Sequence, residues 1–194
     1  MELIVIIGAV ALLVAVLLPA MVSPDARRRA ALINCINNLK QIDLAFRIWA
    51  NDHTNNYPME WAKNGGAYRI FQVMSNEINT PKVLYCPADS KRIRATNFFN
   101  LNNDNISYFV GVDATENNPQ AILLGDDNLI INGKPVRPGI LNLTSNDVVE
   151  WSSERHHRAG NIALSDGSIQ QTTRDGLRTA TANGLMATNR WIIP

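Results

Sequence analysis

The residue types that could do chemistry gather in the last quarter of the chain. His156 and His157 are adjacent, and Asp166 follows with Gly167 behind it. Together with Ser165 or Ser168 they supply the residue types of a serine–histidine–aspartate nucleophilic centre. No Gly-x-Ser-x-Gly elbow frames either serine, and Asp166 falls on an Asp-Gly pair that belongs at a hairpin tip. The expectation is a structural hydrogen-bonding role for His156, Asp166 and Gly167, no catalytic residue, and a chain that is not an enzyme. Two adjacent histidines lack a third ligand at helical or finger spacing, which argues against zinc. Asp126, Asp127 and Asn128 offer oxygens that suit calcium, but the full loop pattern is missing and a hairpin turn is the simpler reading. There is no Walker loop and no dinucleotide glycine fingerprint, so no cofactor is expected.

Cys35 and Cys86 are the two cysteines of the chain. In an oxidising compartment they can form one bridge, for which chain-entropy models assign ~4 kcal/mol; otherwise they are two buried free thiols. Glu2 sits at the edge of an apolar run. A carboxylate there is costly to bury unless it is paired, so it either faces water or meets an amine inside a membrane or a filament core. The net charge of +1 gives no bulk attraction to nucleic acid, and 46% hydrophobic with 18% charged residues is a globular balance.

These residues need elements to position them. Residues 3–22 are twenty consecutive positions without a charge. As a helix they span ~30 Å, about a bilayer core, and no polar face interrupts them. A retained membrane segment is the reading, since Met1-Glu2 has the wrong sign for the basic start of a removable signal. Arg27, Arg28 and Arg29 follow the segment and, by the positive-inside rule, pull against export of what comes next. Beyond them Leu32, Cys35, Leu39, Ile42, Phe46 and Trp49 repeat at intervals of 3, 4, 3, 4 and 3, the seam of an amphipathic helix. The spacing predicts one helix of ~75 Å from Glu2 to about Ala50, kinked at Pro19 and ended by the polar run at 51–56. Residues 57–194 read as short strands and turns. Residues 106–112 form a buried strand. Residues 121–124 and 129–131 form a hairpin around Gly125-Asp126-Asp127-Asn128. Residues 161–165 and 168–170 form a second, with Leu164 facing Ile169 across the Asp-Gly turn. Residues 174–182 form a short helix with Gly184 near its end. Helix plus antiparallel sheet gives an α+β fold.

Glu2-Leu3-Ile4, the apolar run, and Leu17-Leu18-Pro19-Ala20 resemble the N-terminal helix of type IV prepilins and type II secretion pseudopilins. Cys35-Ile36-Asn37-Asn38-Leu39-Lys40-Gln41-Ile42, Tyr57-Pro58 and Leu84-Tyr85-Cys86-Pro87-Ala88-Asp89 look like a large bacterial subgroup of these proteins. So does a histidine followed, after nine residues, by Asp-Gly, here His156 and Asp166-Gly167. The family carries a basic leader ahead of the glutamate; here only Met1 precedes Glu2, and N-methylation of the mature terminus is implied by the resemblance.

The resemblance implies a pilin-like fold in three parts. Residues 1–22 are an apolar membrane and filament-core helix, 23–56 its amphipathic continuation, and 57–194 an exported α+β domain. It implies a structural subunit of a type IV pilus-like filament, with Glu2 paired to the N-terminal amine of a neighbouring copy. The partners it implies are copies of the chain, an inner-membrane assembly platform and a prepilin peptidase, with the membrane as host before assembly; from the net charge of +1, no nucleic acid is expected. The location it implies is the inner membrane, then the cell surface or a periplasmic pseudopilus. The alternatives are a type II secretion pseudopilin or minor tip pilin and, from another class, a single-pass membrane-anchored binding domain that does not assemble.

Overall fold

Ser23 and Pro24 divide the expected long helix in two. In the computed structural model, which describes residues 2–21, 23–64, 66–184 and 189–194 and omits the side chains of 18–21 and 62–64, α1 is Glu2–Met21 and α2 is Pro24–Asp52. The Ser23 hydroxyl accepts the amide of Ala26 at 3.1 Å, Pro24 occupies the first helical position where an amide hydrogen is not needed, and Asp25 lies in the positive first turn. These are the marks of a new helix start. Pro19 lies within α1, and its side chain is outside the described ones. At the far end His53 and Asn55 both donate their amides to the Ala50 carbonyl, and Thr54 and Asn55 take positive φ, so the polar run ends α2 as its composition predicts.

The seam of α2 is buried where the spacing places it. Cys35, Leu39, Ile42 and Phe46 are inaccessible to solvent, while Leu32 and Trp49 at the two ends are half-buried. Phe46 meets Tyr57 and Phe71 edge-on, with ring centroids 5.6 and 6.3 Å away. Phe71 belongs to α3 (Ala67–Val73), followed by α4 (Ser75–Ile78) and a 3-10 turn at Pro81–Leu84. The sequence predicts strands and turns from 57 onward, whereas this region is helical. Ala67, Ile70, Phe71 and Met74 have helical spacing and all four are buried, a signal hidden by the shortness of the element.

Among the described residues nine strands follow: β1 (Tyr108–Gly111), β2 (Ile122–Asp126), β3 (Leu129–Ile131), β4 (Lys134–Pro135), β5 (Gly139–Leu143), β6 (Val149–Trp151), β7 (Gly160–Leu164), β8 (Ile169–Thr172) and β9 (Asn189–Ile193). They make an antiparallel six-stranded sheet in the order β5-β9-β1-β2-β7-β8 and a three-stranded sheet in the order β4-β3-β6. Helix α5 (Arg174–Asn183), capped by Thr173 and ended at Gly184, matches the predicted short helix and packs on β6. The class is α+β, with a long N-terminal helix against an antiparallel sheet.

Both faces of the large sheet are covered. On one, Tyr108, Val110, Leu123, Ala163 and Ile192 join the α2 seam; on the other, Phe109, Ile122, Ile162, Leu164 and Trp191 join Leu129, Val149, Trp151 and Leu177. Residues alternate between the two cores along β1, β7 and β9, as a pleated strand requires.

The structure departs from the predicted hairpins in two places. β2 and β3 belong to different sheets, so Gly125 to Asn128 do not close a hairpin; Asp126 ends β2, paired opposite Tyr108, and the chain turns a corner into the second sheet. Buried polar partners for Asp126 and Asp127, described below, outweigh the local turn preference. Between β7 and β8 the Asp-Gly turn is present, but Ile169 faces Ala163, not Leu164. Leu164 donates its amide to the Ser168 carbonyl at 3.0 Å and closes a loop of three residues, 165–167, with Gly167 at φ +88° and its amide bonded to the Leu164 carbonyl at 2.9 Å. Glycine in the left-handed region makes this a bulged hairpin and shifts the register by one.

Phe46→Ala removes a fully buried ring from the α2–sheet core. A loss of about 3–5 kcal/mol in unfolding free energy is expected, read from denaturant midpoints at unchanged slope.

Candidate functional site

Two features stand out: an uncovered helix and a buried polar cluster. Every described side chain of α1, from Glu2 to Leu17, is exposed, including Ile4 at 76% and Leu12 at 69%. The helix has no polar face to offer water, and none of its described surface is used by the domain that follows. Among the described residues no helix is long and apolar enough to cross a membrane.

The buried cluster lies where α2 meets the loop around Cys86 and the turn before β7. Cys35 on α2 and Cys86 form a disulfide, both residues inaccessible to solvent, so the bridge is the outcome of the two open readings. The Cys86 loop is fixed further by the Asn38 side chain, which donates to the Tyr85 carbonyl at 2.9 Å, and by Tyr85 Oη donating to the Asp89 carbonyl at 2.8 Å. Asp89 accepts from Arg155 at 3.1 Å. Arg155 also bonds Asp127 and the Ser107 carbonyl, and Arg92 reaches Asp127 at 2.7 Å and the Pro194 carbonyl at 3.0 Å. Arg155, Asp89 and Asp127 are each at least nine-tenths buried, so the charges are taken out of water together and compensate one another. Asp127 is thus spent on two arginines, while Asn128 gives its backbone carbonyl to the Ser152 amide.

Asp126 is fully buried and accepts two bonds from Asn161, from the amide at 2.7 Å and from Nδ2 at 2.9 Å; its Oδ1 has no hydrogen-bond partner. Burial raises its pKa, against the opposing pull of Arg155, His156 and Asn161. His156 Nε2 lies 3.5 Å from Cys86 Sγ and 3.7 Å from Asp126 Oδ2. Burial holds the imidazole pKa below its ordinary value, Asp126 opposing. His156, His157 and Arg158 have φ of +50°, +55° and +63°, three successive non-glycine residues in the left-handed region. Such a run costs about 1–2 kcal/mol per residue and is held by its surroundings.

Asp166 and Gly167 lie beyond the other end of β7, so the five-residue strand separates them from His156. Asp166 Oδ1 accepts the Ser168 amide at 2.8 Å, and the Ser168 hydroxyl first and this amide second hold its pKa below the usual carboxylate value. Arg47 of α2 donates to the Ser165 carbonyl at 3.0 Å and to Asp43 at 3.1 Å. Gly167 is favoured by its φ of +88°, and a Cβ there would fall 2.5 Å from Arg47 Nη2, so the guanidinium would have to shift. The structure therefore does not gather a triad: His156 contacts the disulfide, and Asp166 closes the far turn, which Arg47 ties to α2 through the Ser165 carbonyl. Arg47, Arg92, Arg155, Asp89 and Asn161 had no periodic or motif signal of their own apart from Asp89, which closes the Leu84 to Asp89 stretch.

No family model matches the chain, and no curated protein or solved structure matches it either.

Two outcomes check this geometry. Reduction of the Cys35–Cys86 bridge in the presence of a chelator is expected to lower unfolding stability by about 2–5 kcal/mol, read by denaturant titration with and without reductant. Asp166 has a folded-state pKa below its unfolded value of 3.8, so its contribution is present above that pH and is lost as pH falls below it. Asp166→Asn should flatten the acid limb of the stability curve below pH 3.8 and leave its shape near neutrality unchanged, as measured by thermal unfolding across pH.

Proposed function

We propose that this chain is a structural subunit of an extracellular filament of the type IV pilus kind, assembled through its apolar N-terminal helix. The observation that carries the reading is α1: apolar on all sides and covered by nothing in its own domain. Such a helix must find lipid or other copies of itself, since each exposed side chain of this size is worth about 1.5–3 kcal/mol on burial. In a filament the α1 helices form the core and the α+β domain faces outward. Glu2, the single charge on the helix, then requires a cation inside that core, and the N-terminal amine of a neighbouring copy supplies one. A contact running from one copy to the next is heterologous and propagates a helical polymer. Before assembly the inner membrane holds α1.

Two further observations fit this reading. The disulfide is the ordinary state of a cysteine pair outside the cytoplasm. The His156 to Gly167 element ties both ends of β7 to α2 and its disulfide, which suits a mechanical subunit better than a catalytic one.

The test is electron microscopy of filaments sheared from cells, with mass spectrometry of the shed protein, for the native chain and for Glu2→Ala. Filaments built of the native chain and absent with Glu2→Ala are expected. Filaments that form equally well with Glu2→Ala would overturn the pairing role. A protein that stays in the membrane fraction, with no filament containing it, would overturn the filament reading in favour of a non-assembling anchored domain.

A further inference from the structure

We infer that the folded chain, with its disulfide reduced, is a binding site for one thiophilic divalent cation of the zinc class, held by the thiolates of Cys35 and Cys86 and the imidazole of His156. The one sulfur, the other sulfur and an imidazole nitrogen lie within 4.8 Å of one another, three zinc-type ligands from three separate parts of the chain. Cys86 Sγ and His156 Nε2 are 3.5 Å apart, the edge length of a tetrahedron built from Zn–S bonds of ~2.3 Å and Zn–N bonds of ~2.0 Å. The Cys35 sulfur then has only to move from bonding distance of its partner to a tetrahedron edge, and the two Cα atoms, 5.2 Å apart, allow this by side-chain rotation.

Two independent observations support a ligand at this point. First, His156 is brought there by three successive residues in the left-handed region, a costly backbone for an imidazole whose contacts are a sulfur at 3.5 Å and a carboxylate at 3.7 Å. Second, the fully buried Asp126 carboxylate lies 3.7 Å from Nε2 through Oδ2, which Asn161 holds by two hydrogen bonds, and its other oxygen has no hydrogen-bond partner. Two thiolates neutralise a divalent ion, and the adjacent Arg155 charge is met by Asp89 and Asp127. A cleft of about 580 Å³ that reaches His156 and Pro87 lies beside the cluster; Arg27, Arg28 and Arg29 also line it, and the two cysteines do not.

The chemistry balances as an exchange between two closures of the same loop. A trialkylphosphine breaks the S–S bond, takes the oxygen of a water molecule to become the phosphine oxide, and leaves two thiols carrying the two protons. The cation then displaces those two protons as the S–metal bonds form. Oxidation by a disulfide carrier reverses this, transferring the electron pair to the carrier and releasing the ion, so bridge and metal exclude one another.

The full chain is reduced with a trialkylphosphine without oxygen and titrated with Co²⁺ as the spectroscopic substitute for zinc, with circular dichroism recorded in parallel. Expected are one equivalent bound, thiolate-to-cobalt charge-transfer absorption, displacement by zinc, and no such absorption in the unreduced chain. His156→Gln should weaken binding about tenfold or more. X-ray absorption at the zinc edge of the native reduced chain should show two sulfurs and an imidazole, whatever the variant's folding. Absence of the charge-transfer band, loss of the fold on reduction, or a zinc shell without imidazole would each overturn the site.

Discussion

Burial of one stripe of α2 is the contact on which the domain depends. Leu39, Ile42 and Phe46 fill the space between α3 and the near face of the six-stranded sheet, and each is inaccessible to water. Two devices hold the stripe in register. Near the start, Cys35 is bonded to Cys86; near the end, Arg47 reaches across to the turn between β7 and β8. The sheet in turn needs a cover on each side, because its central strands are apolar on both faces. The second small sheet and α5 close the other face. α1 lies outside this economy of contacts, which is why the chain divides into a part that completes itself and a part that does not.

The division falls where the local chemistry of the chain sets it. A serine whose hydroxyl caps the third following amide and a proline in the first turn begin a helix afresh, whatever the apolar run before them. Of the long helix, its seam and its polar C-terminal end were legible because periodicity and composition are local properties. The break is not legible in the apolar periodicity, because a cap and a first-turn proline at Ser23-Pro24 restart a helix without changing the pattern on either side. The hairpin at Asp166-Gly167 is legible down to its glycine, but its register is off by one, since Gly167 in the left-handed region lets three residues, not two, close the turn. The corner at Gly125 to Asn128 was misread outright. There long-range partners decide: Asn161 for Asp126, and Arg92 with Arg155 for Asp127.

The same contrast explains the candidate site. His156, Cys35 and Cys86 each stand out in the sequence, yet as separate features from three stretches. Their meeting is a tertiary fact. Arg155, next to the histidine, and Asp89, three residues after the cysteine, meet as well, so the two stretches are joined twice, once through sulfur and imidazole and once through a buried ion pair. Buried charges of this kind add little net stability but penalise every arrangement that leaves one of them unpaired. That specificity is what keeps the left-handed turn of His156 to Arg158 in place.

The disulfide also sets how the chain bears load. Tension applied through α1 enters α2 and, at Cys35, meets a covalent shortcut to Cys86. The 51 residues of sequence separation that this link bypasses would extend by roughly 170–180 Å if drawn straight. None of that length can be paid out while the bridge is closed, so the pull passes directly to the loop anchored by Asn38 and Arg155 and from there into the middle of the sheet. A stretched molecule would thus keep the α3 and α4 region slack and intact, and its yield point would lie in the strands.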